Sequence, residues 1–254
     1  LCKWIRDYSR WRLDDKMNIA IIFGRKNSKG LPNKNVKKIL GKPACLYPID
    51  AAIKSKKIHK VYVSSDSNKI NKLAKKKRCE ILLRPKKLAN DNALLSDAIF
   101  YSVKRIKKNN QKIQNVVILL CNSICINSKI IDEALKKINN KKVQTVTTIS
   151  KLNMFSPIRS MKVSKGRVVN FFPNEIMKKY TSLSGDRNKS TDTYFITHSC
   201  TVTKIDVFNN KNKNPMPFQW MGRNKSFIKQ DNCVGDIDFE WQSNVAENWL
   251  KKNK

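Results

Sequence analysis

Short apolar runs alternate with segments of helical period through the first half of the chain, and this alternation restricts the fold more than any other feature. Residues 18–23 (Asn-Ile-Ala-Ile-Ile-Phe) read as a strand buried on both faces that ends at Gly24. A short helix is expected over 48–56, a second strand over 60–65, and a helix over 66–77 with Ile70, Leu73 and Ala74 on one face. A short strand over 80–83 precedes Arg84-Pro85, and a helix over 96–108 carries the stripe Ile99, Val103, Ile106. Residues 116–120 form a central strand, followed by a helix over 128–138 with Ser128 at its N-cap. Strand and helix in regular succession specify an α/β fold with a mostly parallel sheet.

After a strand over 143–149 the pattern shortens. Two alternating runs, 161–163 and 167–169, flank Lys165-Gly166 and read as a hairpin. Residues 193–196 and 201–203 are read as two further strands, 209–215 as a polar loop, and 238–250 as a closing helix docked through Trp241, Val245, Trp249 and Leu250. Met17 stands just before the first strand, so residues 1–16 are read as an upstream extension and 17–254 as one domain. The longest apolar stretches, 19–23 and 116–121, are far shorter than the roughly 18 residues that a bilayer requires. The charged stretch 1–16 lacks the apolar core of a secretory signal, which leaves a cytoplasmic location as the expectation.

Charge narrows the partners. The 254 residues hold 53 Lys plus Arg against 19 Asp plus Glu, a formal charge of +34. A nucleic-acid footprint would use such charge, but only 11 of the 53 are Arg, Asn is also very frequent, and runs such as Lys75-Lys76-Lys77 have no interleaved aromatics for stacking. Codons rich in A and T explain Lys and Asn together, and the runs read as solvated helix faces. The field still attracts an anionic substrate. Seven scattered cysteines without a CxxC pair indicate reduced thiols and no zinc site. The two histidines, His59 and His198, stand near no nucleophile pattern, so a histidine base is not expected.

The loop after the first strand, residues 24–35 (Gly-Arg-Lys-Asn-Ser-Lys-Gly-Leu-Pro-Asn-Lys-Asn), combines glycine, cations and a hydroxyl, which is what a polyphosphate cradle needs. It is neither a Walker A loop nor a GxGxxG turn, and a basic surface loop is the competing reading. Asp236 and Asp238 are two apart, so in an extended segment both carboxylates face one side and can share a hard cation, or else are solvated turn acids.

Arg25, Ser28-Lys29-Gly30, Pro32, Lys34-Asn35 and Gly41-Lys42-Pro43 together resemble the signature of the CMP-N-acetylneuraminate synthetase family, the cytidylyltransferases that activate nine-carbon acidic sugars. The likeness continues through Val63-Ser64-Ser65-Asp66, Arg84-Pro85, Leu88-Ala89, Asp91 and Asp236-Ile237-Asp238, spanning nearly the whole chain. The resemblance implies a Rossmann-like nucleotidyltransferase fold and transfer of CMP from CTP to the anomeric hydroxyl of an N-acylneuraminate-like acid, releasing pyrophosphate, for surface glycan such as lipopolysaccharide or capsule. It implies Arg25, Lys29 and Asp236 as catalytic residues, and Arg25, Ser28, Lys29, Lys34, Asn35 and Arg84 around the nucleotide. Asp236 and Asp238 would hold Mg2+ or Mn2+, and an extension near residues 151–201 would pair two subunits in a homodimer. The partners are CTP and the sugar acid, with no membrane or nucleic acid.

The chain departs from that pattern at Phe23-Gly24 for Pro-Ala, at Lys26-Asn27 for Gly-Gly, at Cys121 to Asn127 for Gln-Pro-Thr-Ser-Pro-Leu-Arg, and at Gln242 for Asp. The alternatives are therefore a transferase for another ulosonic acid, pseudaminate or legionaminate, and a catalytically silent relative that keeps nucleotide binding.

Overall fold

The computed structural model describes residues 16–26, 30–109, 112–179 and 192–253. Seven strands form the central sheet: β1 (Met17–Gly24), β4 (Lys60–Ser65), β5 (Glu80–Leu83), β6 (Ile113–Leu120), β7 (Thr145–Lys151), β10 (Tyr194–Lys204) and β11 (Lys225–Lys229). Their order is β11-β7-β10-β6-β1-β4-β5, and every pairing is parallel except those of β10, which runs against both β6 and β7. The mostly parallel α/β fold expected from the alternation is the fold observed.

The unbroken apolar runs follow from burial on both faces. In β1, Ile19, Ile21 and Phe23 join a core with α3 (Leu95–Asn109) and with Trp220 and Met221. Ala20 and Ile22 point the other way, into a core with α1 (Leu46–Lys54), α2 (Asn68–Lys76) and α4 (Ser128–Lys137). A third cluster joins Ile39, Ile124, Cys125, Cys233 and Ile237 to Ala246 and Trp249 of α6 (Glu240–Lys252), fastening the C-terminal helix beside the ends of β1 and β6.

Several expectations need correction. The N-cap of α4 is Asn127, not Ser128: its Oδ1 accepts from the Ile130 amide at 3.0 Å, and Asn caps at least as well as Ser. The two strands expected over 193–203 are one strand, β10, with a register shift between Ile196 and Thr201 and His198 at φ 52°. Across that shift the Cys200 amide donates to Thr148 Oγ1 at 3.1 Å, so a side chain substitutes for the missing ladder bond. In α6, Trp249 is buried but Trp241 is exposed, so docking uses only part of the expected stripe. The loop after β1 contains a two-residue ribbon, β2 (Lys38–Ile39) with β3 (Lys42–Pro43), that periodicity cannot reveal.

The expected hairpin is present as β8 (Met161–Ser164) and β9 (Arg167–Asn170), with positive φ at Lys165 and Gly166, the combination its right-handed twist favours. A short helix, α5 (Asn174–Lys178), follows it. Every residue of both hairpin strands is exposed, including Met161, Val163 and Val168. The six cysteines among the described residues are free and buried, and among those residues no helix is long and apolar enough to cross a membrane.

Candidate active site

Because β1, β4, β5 and β6 are parallel, Gly24, Ser65, Leu83 and Leu120 end on one edge of the sheet. The chain leaves β1 toward β4 on one side and later returns to β6 on the other, so the crevice between β1 and β6 is a topological switch point, the place where such sheets bind ligands. A cleft of about 260 Å3 opens there, lined by Arg25, Lys34, Asn35, Arg84, Asn122 and Asp236, with Phe23 and Leu120 in its wall.

Arg25 follows β1 directly and directs Nη1 to Asp91 Oδ1 and to the Asn90 carbonyl, both at 3.3 Å. Asn35 is buried; its Nδ2 donates to the Arg25 carbonyl at 2.9 Å, while its Oδ1 has no hydrogen-bond partner among the described residues and is open to a donor. Arg84, at the end of β5, donates from Nη2 to the Ser64 carbonyl at 3.1 Å and lies 5.8 Å above the Phe23 ring. Burial lowers its pKa against the pull of Asp66, and its Nε is unpartnered among the described residues. A guanidinium fixed at one end with a buried free donor at the other is suited to a ligand acceptor. Ser28 and Lys29 lie outside the described residues.

The acidic segment approaches from the far end of the chain. Asn122, the second residue after β6, donates from Nδ2 to the Ile237 carbonyl at 3.0 Å, and its own carbonyl accepts from the Ile237 amide at 3.0 Å. The same Nδ2 lies 3.4 Å from Asp236 Oδ2 and 3.5 Å from Asp238 Oδ1, so both carboxylates converge on one point, as their spacing predicts. The Lys34 ammonium pairs with Asp238 Oδ1. A Cβ on Gly30 would stand 2.8 Å from the Asp238 carbonyl oxygen, so the loop after β1 rests directly on the acidic segment.

Burial, and next the charge of Asp238, raise the Asp236 pKa above the ordinary carboxylate value, with His198 and Lys34 among the groups pulling it down. Burial also holds the His198 imidazole below its usual pKa although both aspartates oppose this. His198 packs edge-on against Phe218 at 5.2 Å, and His59 Nδ1 accepts from the Asn18 amide at 3.0 Å. Gln242, an acid in the family pattern, accepts on Oε1 from the Asp238 and Phe239 amides at 2.7 and 2.8 Å, tying the acidic segment to the first turn of α6.

The donor set suits magnesium or manganese. Two carboxylates with oxygen ligands converge at a cleft rim, and among the described residues no group of three or more acids, histidines and cysteines is placed to hold a metal. Magnesium is typically bound in this way, by one or two carboxylates with water and substrate phosphates completing its shell. Five predicted residues, Arg25, Lys34, Asn35, Arg84 and Asp236, line one cleft, with Asp238 at its rim. Asn122 was not anticipated; its position just past the apolar run of β6, on the switch-point edge, was the available signal.

A mostly parallel α/β sheet with a cationic and acidic cleft at its switch point defines the Rossmann-like class of ligand-binding folds. The family model described as cytidylyltransferase matches residues 19–165, and the chain belongs to that family. It is 34% identical over 150 residues to the Helicobacter pylori "pseudaminic acid cytidylyltransferase and UDP-2,4-diacetamido-2,4,6-trideoxy-beta-L-altropyranose hydrolase", covering 58% of this chain and 28% of that protein. It is 44% identical over 75 residues to an Escherichia coli N-acylneuraminate cytidylyltransferase, covering 30% and 18%. With a Campylobacter jejuni pseudaminic acid cytidylyltransferase it shares 31% over 121 residues, covering 47% and 52%. The chain thus spans about half or less of the length of these relatives. Among solved structures, CMP:2-keto-3-deoxy-manno-octonic acid synthetase superposes with TM-score 0.64 at 14% identity, covering 94% of this chain and 100% of that one. A 4-diphosphocytidyl-2C-methyl-D-erythritol synthase gives 0.62 at 10%, covering 93% and 99%. Identities this low speak for the fold alone.

Proposed function

We propose that the protein transfers CMP from CTP to the anomeric hydroxyl of a nine-carbon acidic sugar and releases pyrophosphate. The observation that carries this reading is the convergence of Arg25, Lys34, Asn35, Arg84 and Asp236 on one switch-point cleft, in a chain of the cytidylyltransferase family. The hydroxyl oxygen attacks the α-phosphorus, the bond from the α-phosphorus to the bridging oxygen breaks to release pyrophosphate, and the hydroxyl proton passes to water. Such a step needs position and charge neutralisation more than a covalent nucleophile. Arg25 and Lys29 would hold the triphosphate, with Ser28 lining the cradle. Asn35 Oδ1 and Arg84 Nε, both without a partner among the described residues, would orient the nucleoside. Asp236 and Asp238 would hold Mg2+ or Mn2+, which when bound supplies positive charge to the phosphate oxygens.

The acceptor is an N-acylneuraminate or a pseudaminate; relatives named for each are similar to this chain. The exposed apolar hairpin β8–β9 supports a homodimer formed through residues 151–201, and a cytoplasmic site of action fits the use of CTP. The test is pyrophosphate release from CTP and magnesium across a panel of nine-carbon sugar acids, with Asp236→Asn and Lys29→Ala beside the wild type. Release with one acid and its loss in both variants is expected; CTP binding without release from any acid would favour the silent-relative reading.

A further inference from the structure

In a chain so rich in lysine, the acidic pair at the cleft rim already has a cation of its own. The Lys34 ammonium sits on Asp238 Oδ1, with its side chain only 16% exposed. The main chain around it is fixed: the Lys34 amide donates to the Leu31 carbonyl at 3.2 Å, Asn35 is anchored to the Arg25 carbonyl, and Gly30 rests on the Asp238 backbone. The Lys34 stem joins this anchored main chain to its ammonium through rotatable bonds and carries a compact point charge. The same residue lines the cleft. Asp238 offers Oδ1 both to this ammonium and to the point where the Asn122 amide and Asp236 converge, and two cations on one carboxylate oxygen repel strongly at such range.

We propose that Lys34 is the resident counter-ion of the Asp236–Asp238 pair: its ammonium neutralises Asp238 in the cation-free protein, and an entering divalent cation displaces it into the cleft to meet an anionic substrate. The inference rests on the pair being the cation site argued above. It adds that cation binding and anion binding are coupled through one side chain, and such coupling works equally in both directions.

The experiment measures Mn2+ binding to the full chain by the electron paramagnetic resonance signal of free Mn2+, without nucleotide, for the wild type, Lys34→Met and Lys34→Arg. Removing the resident charge should tighten Mn2+ binding about tenfold, while Lys34→Arg, which keeps the charge, should leave it near wild type. Equal or weaker binding to a folded Lys34→Met chain, with measurable binding to the wild type, overturns the counter-ion role and leaves the cation site standing. No binding to any of the three overturns both. Should Lys34→Met fail to fold, Lys34→Gln takes its place. In the wild type, the side-chain Cε resonance missing from the Lys34→Arg spectrum should shift on adding Mg2+; a resonance that stays put also overturns the proposal.

Discussion

Gly24 and Cys121 share one space: a Cβ built on Gly24 would lie 2.5 Å from the Cys121 sulfur and 2.9 Å from its Cβ. The two residues end β1 and follow β6, on the two sides of the switch point, and the Cys121 amide donates to the Phe23 carbonyl at 2.8 Å. Two departures from the family pattern are thus one adjustment, a glycine in place of alanine that admits a buried thiol. Gly24→Ala should cost about 1–3 kcal/mol by overpacking, read by denaturant titration. Adding Cys121→Ala, which removes the sulfur but not the Cβ, should restore only part of the loss; full restoration would show that the sulfur alone sets the fit.

Asp236 should trade stability for function. Its folded pKa is raised by burial and by Asp238, so its ionised form is disfavoured in the fold. The cost is absent below the unfolded value of about 4, grows as pH rises through the folded value, and is constant above it. Asp236→Asn should therefore melt higher than the wild type at pH 7, with the gap closing in acid, while pyrophosphate release is lost. Mg2+ should raise the melting temperature of the wild type alone.

Asp50 should behave in the opposite sense. Burial raises its pKa, but hydrogen bonds and charge from Lys42 and Lys77 outweigh this and lower it overall. Its contribution is present above the unfolded value near 4 and is lost as pH falls through the lower folded value. Asp50→Asn should destabilise the protein by about 1 kcal/mol at pH 7, and the difference from wild type should vanish at the acid end of a series of thermal melts.

The exposed hairpin gives a test of assembly. Val163 and Val168 stand opposite each other across β8 and β9, 78% and 67% exposed, and buried valines at an interface are intolerant of charge. Val163→Glu with Val168→Glu should convert a dimer to a monomer in sedimentation velocity without changing the far-ultraviolet spectrum. A wild type that sediments as a monomer would refute the assembly.

The parallel strands were legible because burial on both faces demands continuous apolar runs, and β4 and β5 begin and end where those runs do. β11 was missed for the converse reason: it is an edge strand, Lys-Ser-Phe-Ile-Lys, in which only Ile228 is buried. β10 read as two pieces because Thr197, His198 and Ser199 interrupt the alternation at its bulge. In the site, Arg25 could be found within the basic loop that follows β1, whereas Arg84 was named through the family resemblance alone. Asn122 could not be assigned a role, since its function lies in contacts with residues 114 to 116 positions away that no local pattern encodes.

The Lys34–Asp238 and Lys37–Glu240 pairs join positions 204 and 203 residues apart. A chain emerging from the ribosome has β1, its basic loop and Arg84 long before Ile237 can reach Asn122. Contacts of such long sequence separation are costly to close and form late. The acidic wall of the cleft is therefore the last part to arrive, and a nascent or C-terminally cut chain would expose a half-built pocket able to attract anions but without the carboxylates proposed to act on them. Only when residues 236–240 have joined the earlier elements is the site assembled.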